Sequence, residues 1–369
     1  MLTVLIFFIL LSVLVLVHEL GHFIAAKKLG VVAEEFGLGL PPKIRRLFTW
    51  QGTEFTLNWL PLGGFVKMRG ENRETENNEQ KTMSNEGDGY FYAQKPWKRA
   101  VILVAGVFMN LVLGVAAFTV VYTVMGIPEE RDVVVIDGVA PGSPAERARL
   151  EPNDIVLELK SQNSNLKTIK TEQFIELINQ NRGEEVKLVV KRGSEDKEIS
   201  ITPRVESETP AGEGALGVAI SNIQFIHYPW WQMPFRASVT GFKEALAWGG
   251  NIVGGLGKML VDLIAHGKVP NDVAGPVGIA RITGEVAKRG WIPLFQLAGI
   301  LSINLAVVNI LPIPALDGGR LLFLGIEKLR GKPMDPKKER LIHLAGYAVL
   351  LGLIVLITFR DISMAVSGK

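Results

Sequence analysis

Long unbroken apolar runs and short segments of alternating polarity divide this chain into parts. From Leu2 to Val17 no side chain is charged, and Thr3 and Ser12 are the only polar ones. A run of that length predicts a membrane-spanning helix reaching about Ala26 and stopping at Lys27-Lys28. Further runs at about Trp97–Met125, Ile292–Ile313 and Leu341–Phe359 predict three more spans. Between the first two, Glu54-Phe-Thr-Leu-Asn-Trp59 alternates polar and apolar, which is the period of a strand. Gly37, Gly39, Pro41-Pro42 and Pro61-Leu-Gly63-Gly64 around it read as turns. A small sheet close to the first helix is expected, then a polar loop over residues 70–89.

Residues 127–225 change to the character of a soluble mixed domain. Val133–Val139 and Asp154–Leu159 read as strands, Thr171–Asn179 as an amphipathic helix, and Glu185–Lys191 with Lys197–Thr202 as paired strands. In 229–266, Trp230, Trp231, Phe235 and Trp248 are interrupted by Arg236, Lys243, Lys258 and many glycines. The expectation is an amphipathic helix pair on the membrane surface, with a fifth span as the alternative. The fold class is therefore a polytopic α-helical membrane protein with about four transmembrane helices, a membrane-associated β region and one extracytoplasmic α+β domain. Its expected parts are 1–127, 128–222, 223–290 and 291–369.

Composition supports that class: 48% of the 369 residues are hydrophobic and 21% charged. A net charge of +3, with no basic cluster interleaved with aromatics, gives no reason to expect a nucleic-acid partner. The absence of cysteine excludes disulfides and thiolate metal ligands, so any metal must be held by nitrogen and oxygen. A cleaved signal peptide fits poorly, because no basic residue precedes the first run. Basic residues flank 27–97 and 326–340, whereas Glu129, Glu130 and Asp132 follow the second span. The positive-inside rule then puts both basic segments in the cytoplasm of an inner-membrane protein, with 127–290 and both termini outside.

The candidate chemistry begins at His18-Glu19-Leu20-Gly21-His22, inside the first span. On a helix the i,i+4 spacing places both imidazoles on one face, as two ligands of one zinc ion require, and leaves Glu19 to handle protons. Ionisable groups at that depth are costly unless a cation binds them. A third ligand must come from elsewhere. Asn309-Ile-Leu-Pro312-Ile-Pro314-Ala-Leu-Asp317-Gly-Gly319 ends the third span on the same side of the membrane, which brings Asp317 to matching depth. Asn309 and Pro312, where the prolines open that span, are expected to contact a bound segment with unwound backbone, with a helix-packing asparagine as the alternative for Asn309. Asn110, in mid-span, is read either as a helix–helix hydrogen bond or as a group near the metal. His227, His266 and His343 have no partner at ligand spacing and read as interfacial or surface residues.

These paired motifs, spanning nearly the whole chain, resemble the site-2 protease family of intramembrane zinc metalloproteases. The likeness is to the bacterial regulators that cut membrane proteins and anti-sigma factors. It implies that His18, His22 and Asp317 hold Zn2+ and that Glu19 is the catalytic base. Phe36-Gly37-Leu-Gly39-Leu40 with Pro61–Met68, which includes Gly63 and Gly64, resembles the family's membrane-reentrant β region for holding extended substrate. Residues 128–222 resemble a circularly permuted PDZ domain, with Gly214-Ala-Leu216-Gly217 at the carboxylate-binding loop; the chain has room for one such domain. Implied partners are the lipid bilayer and transmembrane proteins, including ones already cut by another protease. The competing reading is a membrane-anchored PDZ receptor without proteolytic activity, which leaves both metal motifs unexplained.

Overall fold

A computed structural model describes residues 2–71, 89–161, 165–167, 170–266, 274–332 and 334–367. The expected polar loop at 70–89 therefore lies almost wholly outside the described residues. The chain divides into two units, one of residues 1–124 with 234–369 and one of residues 125–233.

Among the described residues of the first unit, four helices are long and apolar enough to cross a membrane: α1 (Leu2–Leu29), α2 (Pro96–Met125), α7 (Trp291–Ile310) and α9 (Pro336–Ser367). The 28 residues of α1 span about 42 Å, more than the ~30 Å of a hydrocarbon core. Leu344, Val349, Leu351 and Phe359 of α9 are exposed, as lipid-facing side chains are.

Following α1, β1 (Ala33–Trp50) and β2 (Thr53–Met68) fold into a ribbon of four runs. Residues 43–50 pair with 53–58, and 33–38 lie beside 54–57 in step, Glu35 next to Glu54 and Leu38 next to Leu57. The same 33–38 run pairs on its other side with 64–68, Phe36 opposite Val66. The run 54–59, where the alternating pattern is clearest, is thus flanked on both sides. The two free edges are 43–50 and 64–68, and no strand among the described residues pairs with the outer side of 64–68. Ser12 of α1 fastens this segment, donating to the Pro61 carbonyl at 3.2 Å and accepting from Gly63 N–H at 3.3 Å. Gly63, at φ +65, lies where a Cβ would be 2.7 Å from Val15, so the strand rides directly on the helix.

Residues 229–266 do not form two helices. One helix, α5 (Met233–His266), runs through, because its glycines lower helix propensity without breaking the hydrogen-bond ladder. Gly250, Gly254, Gly255 and Gly257 face open space. After it come α6 (Pro276–Lys288), α7 and α8 (Asp317–Arg330).

In the second unit, a six-stranded sheet has the order β7-β6-β4-β3-β8, with β5 on β4: β3 (Ile127–Val139), β4 (Ile155–Lys160), β5 (Asn165–Lys167), β6 (Val186–Arg192), β7 (Glu195–Ile201) and β8 (Val218–Ile226). Helices α3 (Pro144–Arg147) and α4 (Thr171–Gln180) complete it. The period-two pattern buries Val134 and Ile136 of β3 and Val186, Leu188 and Val190 of β6 against Phe174 and Leu177 of α4. Strand β8 is an edge strand, and α4 packs beside it.

Candidate active site

The i,i+4 spacing puts both imidazoles of α1 on the face that meets α2. There Gly106 leaves the room they occupy: a Cβ on it would lie 2.5 Å from His22 Nε2 and 2.8 Å from His18 Cε1. On the other side of the contact, Gly21 lets the Ala105 carbonyl approach, since a Cβ there would be 2.3 Å from that oxygen. Small residues at both positions allow the two backbones to close up. His22 Nδ1 donates to the Ile102 carbonyl at 2.8 Å, which fixes the tautomer and leaves Nε2 with a free lone pair.

Asp317 arrives from the opposite end of the unit's sequence, as the first residue of α8 rather than the last turn of α7. The turn before it is tight. Ala315 adopts φ +82, and a Cβ on Gly318 would fall 2.1 Å from the Leu311 carbonyl oxygen. His343, expected at a surface, instead accepts the Ala315 N–H at 2.9 Å, so α9 holds the turn by its backbone. Pro312 is exposed and is not among the residues lining the cavity.

Three ligand atoms converge as a result. His18 Nε2 lies 2.9 Å and His22 Nε2 3.2 Å from Asp317 Oδ2, and the two nitrogens are 3.1 Å apart. Ligands of a tetrahedral zinc ion, with bonds of 2.0–2.1 Å, stand about 3.3 Å from one another, so the spacing and the donor set fit zinc. Among the described residues this is the one group of histidine and acidic side chains so disposed. The surroundings fit as well. Asn110 is fully buried, with Nδ2 3.2 Å from His18 Nδ1 and Oδ1 without a partner. Turning the amide by half a rotation gives Oδ1 the Nδ1–H and frees Nε2 of His18 for a cation. Ser302 of α7 donates to the Asn110 carbonyl at 2.7 Å, joining the span to the site.

Glu19 lies on the adjoining flank of α1, about 100° round from His18, where its Oε2 accepts the Val66 N–H of the 64–68 sheet edge at 3.0 Å. The cavity between them has a volume of about 410 Å³ and is lined by His18, Glu19, Val66, Asn309, Asp317 and Arg320 among others. Asn309 Nδ2 is 3.4 Å from His18 Nε2. Of the remaining expected substrate positions, Gly37, Gly39, Gly63 and Gly64 serve close packing of the sheet. A Cβ would meet Phe65 at Gly37, the Leu60 carbonyl at Gly39 and Leu16 at Gly64. In the second unit Gly214 is open, Leu216 is core, and Gly217 at φ +70 lies against Ser143 and Arg204.

Five contributors lie outside the sequence expectations: Gly106, the Ile102 carbonyl, Ser302, the His343 contact to the turn, and the ion pair between Arg320 and Glu71. Gly106 and Gly114 flank Asn110 at one helical turn on either side, a pattern of small residues on one face that could have flagged it. The others depend on which elements meet.

Comparisons with known proteins agree with this geometry. The chain is 30% identical, over an alignment of 431 positions covering 96% of each protein, to "Zinc metalloprotease RasP" of Geobacillus kaustophilus. It is 30% identical to the protein of that name in Bacillus licheniformis and 28% identical to "Probable protease eep" of Enterococcus faecalis, with 98% of each chain covered in both cases. The model of Peptidase family M50 matches residues 6–353, and the chain belongs to that family.

Proposed function

We propose that this zinc metalloprotease cleaves transmembrane segments of other membrane proteins at His18, His22, Asp317 and Glu19. The observation that carries the reading is the position of Glu19. Its carboxylate lines the same cavity as the three converging ligand atoms and accepts a backbone N–H from the outer side of an edge strand, so catalysis and substrate holding share one cavity. When bound, zinc supplies a Lewis acid that polarises the scissile carbonyl and acidifies water.

The chain's own groups do the rest. Glu19 takes the proton of the attacking water at its carboxylate and returns it to the leaving amide nitrogen. An intact substrate helix hides its carbonyls in its own hydrogen bonds, so the segment must unwind before cleavage. The outward backbone groups of 64–68 can take it up by strand addition, and the Asn309 amide can bond its freed carbonyls. Residues 128–222 act as a PDZ-type module, whose slot between the outer edge of β8 and α4 takes a peptide terminus near Gly214–Gly217. The charge bias supports an inner-membrane arrangement with the metal site toward the cytoplasm and this module outside.

The test uses the full-length protein in lipid vesicles, with a single-span peptide of about 20 apolar residues as substrate. Glu19→Gln is expected to abolish cleavage while retaining zinc, and Asp317→Asn to lose both. Cleavage by Glu19→Gln within a few-fold of wild type would end the assignment of the base. Equal cleavage of a soluble peptide carrying the same scissile residues would end the intramembrane reading.

A further inference from the structure

Strand geometry fixes which backbone groups of the 64–68 edge face outward. Val66 N–H turns away from its 33–38 neighbour to Glu19, so the N–H groups of residues 64 and 68 turn the same way. Met68 N–H does so, and it too ends on a carboxylate: Glu71 Oε2 accepts it at 3.4 Å. The other oxygen of Glu71 is held by Arg320 through a charge-assisted hydrogen bond. Arg320 lies one residue short of a helical turn beyond Asp317 on α8 and lines the same cavity. Two of the outward donors are thus already occupied, one by the proposed base and one by a carboxylate tied to the helix that begins with a metal ligand.

We infer that Glu71, clasped by Arg320, is a displaceable stand-in for substrate and a specificity-determining residue. It occupies the Met68 donor until a segment with free backbone carbonyls replaces it. The inference rests on the strand-addition reading above and goes beyond it. Displacing Glu71 breaks the hydrogen bond from the Met68 amide to a charged carboxylate that Arg320 holds in a half-buried site, a threshold that a substrate can meet only by offering several carbonyls together. A segment that unwinds readily does so; one that stays helical keeps its carbonyls and leaves the clasp shut. Glu71 also shields an otherwise bare strand edge from unproductive pairing.

The test compares wild type, Glu71→Ala and Glu71→Gln, all full length and zinc-loaded in vesicles, on two single-span peptides. One peptide is all leucine; the other carries a central Asn-Gly pair. Wild type should favour the Asn-Gly peptide. Glu71→Ala should lower KM by about tenfold, the scale of one charged hydrogen bond no longer broken, and should shrink the preference between the peptides. Glu71→Gln, which keeps the size and loses the charge, should fall between, and it carries the test if the alanine variant does not fold. Hydrogen exchange supplies a readout independent of proteolysis. The Met68 amide should lose protection in Glu71→Ala and regain it when the Asn-Gly peptide is added. An unchanged or raised KM with undiminished preference, in variants that keep zinc, would overturn the clasp. Failure of wild type to cleave either peptide would instead count against the intramembrane reading, and Met68 protection would still judge the clasp.

Discussion

A single methyl group at Gly106 should separate the stability of the helix from the integrity of the metal site. In Gly106→Ala the new Cβ would stand 2.5 Å from His22 Nε2, 2.7 Å from its Cε1 and 2.8 Å from His18 Cε1. Ordinary contact begins near 3.4 Å, so the closest pair must separate by about 0.9 Å. A metal site tolerates ligand displacements of only about 0.2 Å. His22 is also pinned by the Ile102 carbonyl of the same helix, so it cannot retreat without losing that bond. The expected loss in zinc affinity is at least about 100-fold, or about 2.7 kcal/mol. Alanine is at the same time the better helix former, by roughly 0.8–1.0 kcal/mol. The signs therefore oppose: α2 should be no less helical while zinc is released. Chelator competition would measure the affinity and circular dichroism the helix. Gly254→Ala on α5, where nothing lies within 4 Å, is the control and should share the gain in helix propensity with zinc affinity unchanged. Wild-type zinc affinity in Gly106→Ala would refute the argument that this glycine makes room for the ligands.

Further outcomes follow from the same geometry. Asn110→Ala removes the partner of His18 Nδ1 and should weaken zinc binding by about 10–100-fold, read by chelator competition at unchanged thermal stability. Val66→Pro removes the N–H that Glu19 accepts and should lower turnover with zinc retained, whereas Val66→Ala, which keeps the donor, should stay near wild type. In the second unit, burial raises the Asp154 carboxyl, but the Arg192 guanidinium at 2.6 and 2.8 Å and the Glu151 N–H more than reverse this, leaving its pKa below the usual value. A depressed folded-state pKa gives stability that is present above about pH 4 and lost as pH falls further. Acid-induced loss of exchange protection in β4 and β6 should therefore be blunted in Asp154→Asn.

The convergence of His18, His22 and Asp317, the proposed metal ligands, was legible in the sequence because spacing and span order carry the information. His18 and His22 share a helix face by arithmetic, and Asp317 sits at the same membrane level by counting spans. What surrounds them was not legible. The alternating pattern of Glu54–Trp59 identified a strand, but period two says nothing about which strand becomes an edge. Its neighbours 33–38 and 43–50 enclose it, and the edges fell to 43–50 and to the 64–68 run that meets Glu19. His343 looked solitary because its partner is a backbone amide, Ala315 N–H, which no side-chain motif records. The α5 glycines suggested a break, yet Gly250, Gly254, Gly255 and Gly257 face open space on a continuous helix, and Gly241 packs closely against Thr119 of α2.

One consequence concerns length rather than composition. Helix α1 is keyed on two sides: Ser12 and Glu19 bolt the sheet to one face, while His18 and His22 lock into α2 from another. Each inserted residue turns a helix by about 100° and advances it about 1.5 Å. An insertion between Ser12 and His18 would leave the Ser12 bolt in place and swing the imidazoles off α2 altogether. The helix therefore behaves like a key cut on both edges, free to vary in the side chains that face lipid but not in the number of residues between its notches.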